Sequence, residues 1–300
     1  MGWRFHDSNA LLDRLSRPNP PREHVFLFGS ALTAPLCPGE RGVPGVLGVI
    51  ELIRQYYMRS FGSVALADLD KALSADPSRA YQAAFEHLLG RVSIEEANRI
   101  IRRAVLQARK DSAAIDEATL ADIEALKELE QDDAGWHLAP AVKAVGELLA
   151  LKPAGFSPLV LTTNFDPLLE VSLERAGRHS FCSALDTDGR LDQVHGHGCH
   201  VVHLHGYWLH SNTLHTGVQL QHERPQLQAS LERVLANRAI VVVGYGGWDD
   251  VFTKALSAIL EDPQRNLEIL WAFYPSGVEA LSRSAEPLLQ QLRPGYERGL

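Results

Sequence analysis

Four short segments carry residue types that a folded chain seldom spends on packing. They are Gly29-Ser30-Ala31-Leu32-Thr33, Thr162-Thr163-Asn164-Phe165-Asp166, His203-Leu204-His205-Gly206 and Gly244-Tyr245-Gly246-Gly247-Trp248-Asp249-Asp250. The first is a small-residue turn whose backbone N–H groups can approach a phosphate closely. It lacks the GxGxxG spacing of ordinary dehydrogenases. Asn164 ends a hydrophobic run, where asparagine is a poor strand residue, so it either forms a turn or orients a ligand. His205 offers an imidazole that titrates near neutrality, beside Gly206, and so suits acid–base work. Asp166, followed by Pro167, and Asp249, ahead of an apolar helix, fit helix N-caps as well as ligand contacts.

A metal site is the other chemistry to weigh. His195, His197, His200, His203 and His205 crowd together with Cys199. Strand alternation, however, puts His203 and His205 on one face and Val202 and Leu204 on the other. His195-Gly196-His197-Gly198 reads as loop. No HExxH and no two-histidine-plus-carboxylate spacing occurs, so no metal is expected.

Each of the four segments follows a short apolar run. The runs are 24–28 (HVFLF), 158–163 (PLVLTT), 199–204 (CHVVHL) and 239–245 (AIVVVGY), with a fifth at 268–273 (EILWAF). Continuous apolar strands alternating with helices imply a parallel sheet covered on both faces. The expected fold is therefore α/β and Rossmann-like, with a mostly parallel sheet, helices on both faces and a helical insertion or cap. Ligands of such sheets bind at the carboxyl ends of the strands, where all four segments converge. The core is expected at 24–60 and 155–275, with the helical insertion at 61–150. In that insertion Asp76-Pro77 reads as a helix start and Gly90 as a stop. Ser93-Ile94-Glu95-Glu96 reads as a capping box, and one acidic helix is expected from about Asp116 to Asp133. Residues 276–300 show no closing strand, which leads us to expect the N-terminal part of a longer protein.

Composition narrows the class. The chain has 300 residues, 45% hydrophobic and 22% charged, with a formal net charge of -8. That balance supports a buried core and excludes disordered, collagen-like and coiled-coil proteins. A net acidic chain is a poor general nucleic-acid binder, because phosphate backbones need clustered Lys and Arg. No apolar run approaches the length of a bilayer span, and no signal-peptide core stands at the N-terminus. Cys37, Cys182 and Cys199 are scattered, with no CxxC pair, which fits a reducing cytoplasm.

The four segments together resemble the NAD-binding domain of the sirtuin family. Gly29-Ser30-Ala31-Leu32-Thr33 occupies the place of the sirtuin GAGxS loop. Gly42-Val43-Pro44-Gly45 is similar to the following GIPDF stretch, with its Asp, Phe and Arg absent. Thr163-Asn164-Phe165-Asp166 resembles the QNID motif, with Thr163 for Gln. Leu204-His205-Gly206 matches the LHG motif that carries the catalytic histidine. The segment from Gly244 departs from the sirtuin GTSL and looks like the GY-x-x-x-D of divergent bacterial sirtuin-like proteins. Those proteins are often N-terminal effectors of anti-phage defence that deplete NAD. Deacylating sirtuins carry a zinc module with four cysteines in two CxxC pairs, and this chain cannot build one.

The resemblance implies an NAD hydrolase, releasing nicotinamide and ADP-ribose, and a regulated effector of abortive infection. It implies NAD as substrate and Asn164, His205 and Asp166 as catalytic residues, with Asp166 fixing the Asn164 loop and contacting nicotinamide or its amide. It also implies cofactor contacts at Gly29, Ser30, Ala31, Thr33, Pro44, Thr163, Gly244, Tyr245 and Asp249. Homo-oligomerisation and a sensor domain or partner subunit are expected with it. A zinc-free deacylase or ADP-ribosyltransferase, and a non-catalytic module sensing NAD or ADP-ribose, stand as the alternatives.

Overall fold

A computed structural model of the protein describes residues 5–37, 39–191, 198–262, 264–274, 281 and 285–298. Among these, six strands form one all-parallel sheet. They are β1 (His24–Phe28), β2 (Phe156–Thr162), β3 (Ser180–Ala184), β4 (Cys199–His203), β5 (Ala239–Val243) and β6 (Glu268–Ala272). Their spatial order is β3-β4-β2-β1-β5-β6. β1 sends the chain toward β2 on one side, whereas β5 sends it toward β6 on the other. The switch point of this doubly wound sheet therefore lies between the carboxyl ends of β1 and β5.

Twelve helices are described, numbered in chain order. The amino-terminal set is α1 (Ser8–Leu15), α2 (Val46–Ala75), α3 (Ala80–Arg91), α4 (Ile94–Leu106), α5 (Glu117–Ala121), α6 (Ile123–Gln131) and α7 (Pro140–Ala150). After β2 come α8 (Leu168–Arg175), α9 (Gly217–Gln221), α10 (Pro225–Leu235), α11 (Val251–Glu261) and α12 (Glu286–Glu297). α2 is interrupted at Gly62, whose φ of 79° is not helical.

The period-two alternation of the strands sorts their side chains into two cores. Phe26, Phe28, Val160 and Val201 pack with α2, α3, α4, α7 and α8. Val25, Leu27, Leu161 and Val202 pack with α10, α11 and α12 on the opposite face. The fold class is thus the α/β, Rossmann-like architecture expected from the apolar runs.

Several local expectations are corrected. β3, between Asn164 and His205, is a strand additional to the five apolar runs. It reads Ser-Phe-Cys-Ser-Ala at the sheet edge, partly exposed, so it lacks the apolar run that marks the central strands. The acidic stretch is two helices, not one. Asp122 takes an extended backbone and its carboxylate accepts from Glu124 N and Ala125 N, so it stops α5 and caps α6. Short acidic side chains compete for backbone N–H groups in this way, and caps win over helix interior. α3 continues through Gly90 to Arg91. His195 and His197 lie outside the described residues.

Candidate functional site

The four segments emerge at the carboxyl ends of β1, β2, β4 and β5. Gly29 leaves β1 against the opening of the β5 loop. A Cβ at Gly29 would stand 2.3 Å from Gly244 O and 2.7 Å from Tyr245 Cα, so only glycine fits. Ser30–Leu32 form a single 3-10 turn, and α2 starts only at Val46. Ser30 is exposed, Ala31 and Pro44 are half-buried, and Thr33 is buried.

Thr33 joins the first segment to the second. Its hydroxyl donates to Asp166 Oδ2 at 2.9 Å and accepts from Asn164 Nδ2 at 3.2 Å. Asn164 N donates to Thr162 Oγ1 at 3.0 Å, and its carbonyl oxygen faces His203 Nδ1 at 2.7 Å. The remaining polar atom, Asn164 Oδ1, is buried with no partner. A native fold rarely leaves such an acceptor unmet, so it is a natural point of contact for a ligand donor. Asp166 Oδ1 also accepts from Leu168 N at 3.2 Å, so this carboxyl both starts α8 and braces the Asn164 turn. Burial pushes its pKa up to about 6, against the lowering pull of Thr33 and Leu168. Thr163 is half-buried, with its N–H on Phe28 O.

His205 sits just beyond β4, followed by Gly206. Gly206 has φ of 92°, and a Cβ there would meet Asn212 O at 1.9 Å. His205 Nε2 lies 2.7 Å from Asp250 Oδ2, and Tyr245 OH donates to the same oxygen at 2.6 Å. Asp250 Oδ1 accepts from Phe252 N and Thr253 N, both at 3.0 Å, and so caps α11. Burial alone would raise the Asp250 pKa, but the bonds from His205, Tyr245 and the backbone outweigh it and lower it. Asp250, not Asp249, is thus the helix cap. Asp249 is exposed and accepts from Gln221 Nε2 at 2.8 Å on α9.

Two further partners escaped the sequence reading. His203 Nε2 lies 2.7 Å from Glu170 Oε1, inside the core. Burial would lower the His203 pKa, but the Glu170 carboxylate prevails and holds it well above the usual range. An aromatic wall also reaches the site from the insertion. His215 stacks on Phe85 of α3 at 3.7 Å, and its Nδ1 lies 3.0 Å from Tyr81 OH. Trp248 links the wall to His205, its ring 5.4 Å from Tyr81 and 6.4 Å from His205.

The histidine cluster does not converge on one point among the described residues. His200 Nε2 meets Ser183 Oγ at 2.8 Å, while His203 and His205 have separate carboxylates. Glu170, Cys182 and His203 do place three possible ligand atoms within 4.8 Å of one another. There Glu170 Oε1 already faces His203 Nε2, Glu170 Oε2 is buried without a partner, and Cys182 is exposed at the sheet edge.

The arrangement defines an α/β protein of the doubly wound class, with an orphan acceptor and a carboxylate-held histidine at the switch-point edge. Residues 158–293 match a family model described as a SIR2-like domain, which supports a sirtuin-like domain in this chain. SIR2-like domains are in general NAD-dependent enzymes, and the match suggests an NAD-related activity. No curated protein matches the chain. No helix among the described residues is long and apolar enough to cross a membrane.

Proposed function

We propose that this protein is an NAD glycohydrolase, splitting NAD and water into ADP-ribose, nicotinamide and a proton. The observation that carries the reading is the buried Asn164 Oδ1 without a partner, in the same sheet edge as His205 held by Asp250. The Gly29–Gly244 approach leaves backbone rather than side chain at the crevice, as a pyrophosphate needs.

In the reaction the C1′–N bond to nicotinamide breaks, and the electron pair leaves with the ring, which becomes neutral. Water forms the new C1′–O bond and loses its proton to His205. Asn164 Oδ1 accepts from a ribose hydroxyl or from that water and fixes its direction. Asp250 takes the Nε2–H of His205, so Nδ1 is left as the base. A base so placed supplies roughly 10²–10⁴ in rate. Gly29, Ser30, Ala31 and Thr33 line the phosphate side; Thr163, Pro44, Gly244, Tyr245 and Asp249 complete the dinucleotide contacts.

An unrestrained NAD hydrolase depletes its own cell, so the protein acts as a regulated effector of bacterial anti-phage defence. Its activity answers to assembly or to a sensing partner. The test is nicotinamide release from NAD by wild type, His205→Ala and Asn164→Ala, with folding checked by circular dichroism. Turnover lost in both folded variants is the expected result. Turnover retained in either overturns the assignment of that residue.

A further inference from the structure

His203 faces two groups that only accept. Its Nδ1 is 2.7 Å from the Asn164 carbonyl oxygen and its Nε2 is 2.7 Å from Glu170 Oε1. A neutral imidazole carries one N–H and can serve one acceptor, so two such contacts, to a backbone carbonyl and a carboxylate, call for a proton on each nitrogen. His203 is fully buried and Glu170 nearly so, which shields the pair from competing water. Charge-assisted bonds of this kind are short and strong. The Nδ1 bond falls on the backbone of the residue with the orphan acceptor. With Asn164 N on Thr162 and Nδ2 on Thr33, the His203 bond secures the third of its polar atoms and aims the fourth, Oδ1.

We infer that the His203–Glu170 pair positions Asn164 for catalysis, so that the two histidines of His203-Leu204-His205 divide the work. His205 handles the reacting proton, and His203 holds the Asn164 turn. This rests on the glycohydrolase reading of the site. The titratable groups facing His203 are Glu170 from α8, Cys182 from β3, Asp166 from the turn before α8, and Tyr207, whose ring lies 4.8 Å away. A charged pair worth keeping in a core needs such a task, because its burial is costly in itself.

The test is Glu170→Gln in the full chain. Glutamine keeps an acceptor for Nε2–H but removes the charge that keeps His203 doubly protonated. The expected result is a roughly 10–100-fold fall in kcat at neutral pH, the scale of a misplaced catalytic group, with KM for NAD unchanged. The ratio of variant to wild-type activity then recovers as pH is lowered, because solvent protons restore the second donor. Cys182→Ser and a chelator leave activity intact. Nitrogen-15 NMR of the histidine rings shows both His203 nitrogens protonated in wild type and one in the variant at neutral pH. Four results overturn the proposal: wild-type kcat in Glu170→Gln, a loss equal at every pH, abolition of activity by Cys182→Ser or chelation, or a singly protonated His203 in wild type. The NMR arm judges the pair even if wild type turns over no NAD, so the two readings fail separately.

Discussion

His205 Nε2 lies 2.7 Å from Asp250 Oδ2, and both side chains are sealed from solvent. Tyr245 OH donates to the same carboxylate oxygen, while the other oxygen caps α11. The imidazole is therefore held by a group that is itself anchored to a helix, so its orientation is set before any ligand arrives.

Asp250→Asn tests that relationship. The amide keeps the helix cap, but its N–H₂ can donate to Nε2, which moves the imidazole proton to Nδ1 and removes the base. Nicotinamide release is expected to fall roughly 10²–10⁴-fold with little change in thermal stability. A variant with wild-type kcat means that His205 does not act through Nδ1.

Gly29→Ala probes the close approach of the β1 and β5 loops. The new methyl would stand 2.3 Å from Gly244 O, in backbone that cannot swing aside. Overpacking of this kind costs about 1–3 kcal/mol, and here it also closes the crevice. Urea unfolding and NAD binding by calorimetry are both expected to show losses.

Asp166 adds a pH dependence with a definite sign. Its folded pKa of about 6 lies above the unfolded value near 3.8, so the folded protein binds the proton more tightly. Its contribution to stability is present below about pH 4 and is lost as pH rises through 6. The linkage amounts to at most about 3 kcal/mol. Unfolding free energies measured from pH 4 to 7 are expected to fall with pH in wild type relative to Asp166→Asn. Parallel curves for the two proteins would show that Asp166 titrates normally.

Tyr81 and Phe85 tie the helical insertion to the site through His215. Tyr81→Phe strands a buried His215 nitrogen, at about 1–3 kcal/mol. Phe85→Ala opens a cavity under the His215 ring, at about 3–5 kcal/mol. Chemical denaturation checks both values, and equal stabilities for Tyr81→Phe and wild type would deny the buried bond.

Much of the site was legible from residue type alone. Asn164 stood out because asparagine ends an apolar strand, and His205 because an imidazole at a strand end beside a glycine suits acid–base work. Glu170 left no such mark. It sits in Leu-Leu-Glu-Val-Ser-Leu-Glu-Arg, where an acid in a helix ordinarily faces water. α8 instead packs against α7 and the sheet at once, so the Glu170 side of the helix is enclosed. Asp249 and Asp250 were equally fit to cap α11, because adjacent acids before a helix carry the same signal. The turn geometry chose Asp250 and left Asp249 in solvent.

The sequence by itself determined the parallel α/β plan, because short apolar strands separated by helices can bury their faces in no simpler way. It also determined the four strand-end segments, because glycine, asparagine and histidine there conflict with strand propensity. Only the tertiary structure decided which side chains pair. Thr33 meets Asn164 and Asp166, His203 meets Glu170, and His205 meets Asp250 across long stretches of chain. Such bonds depend on how strands are ordered in the sheet and how helices lie on it, and local residue pattern carries no record of that order.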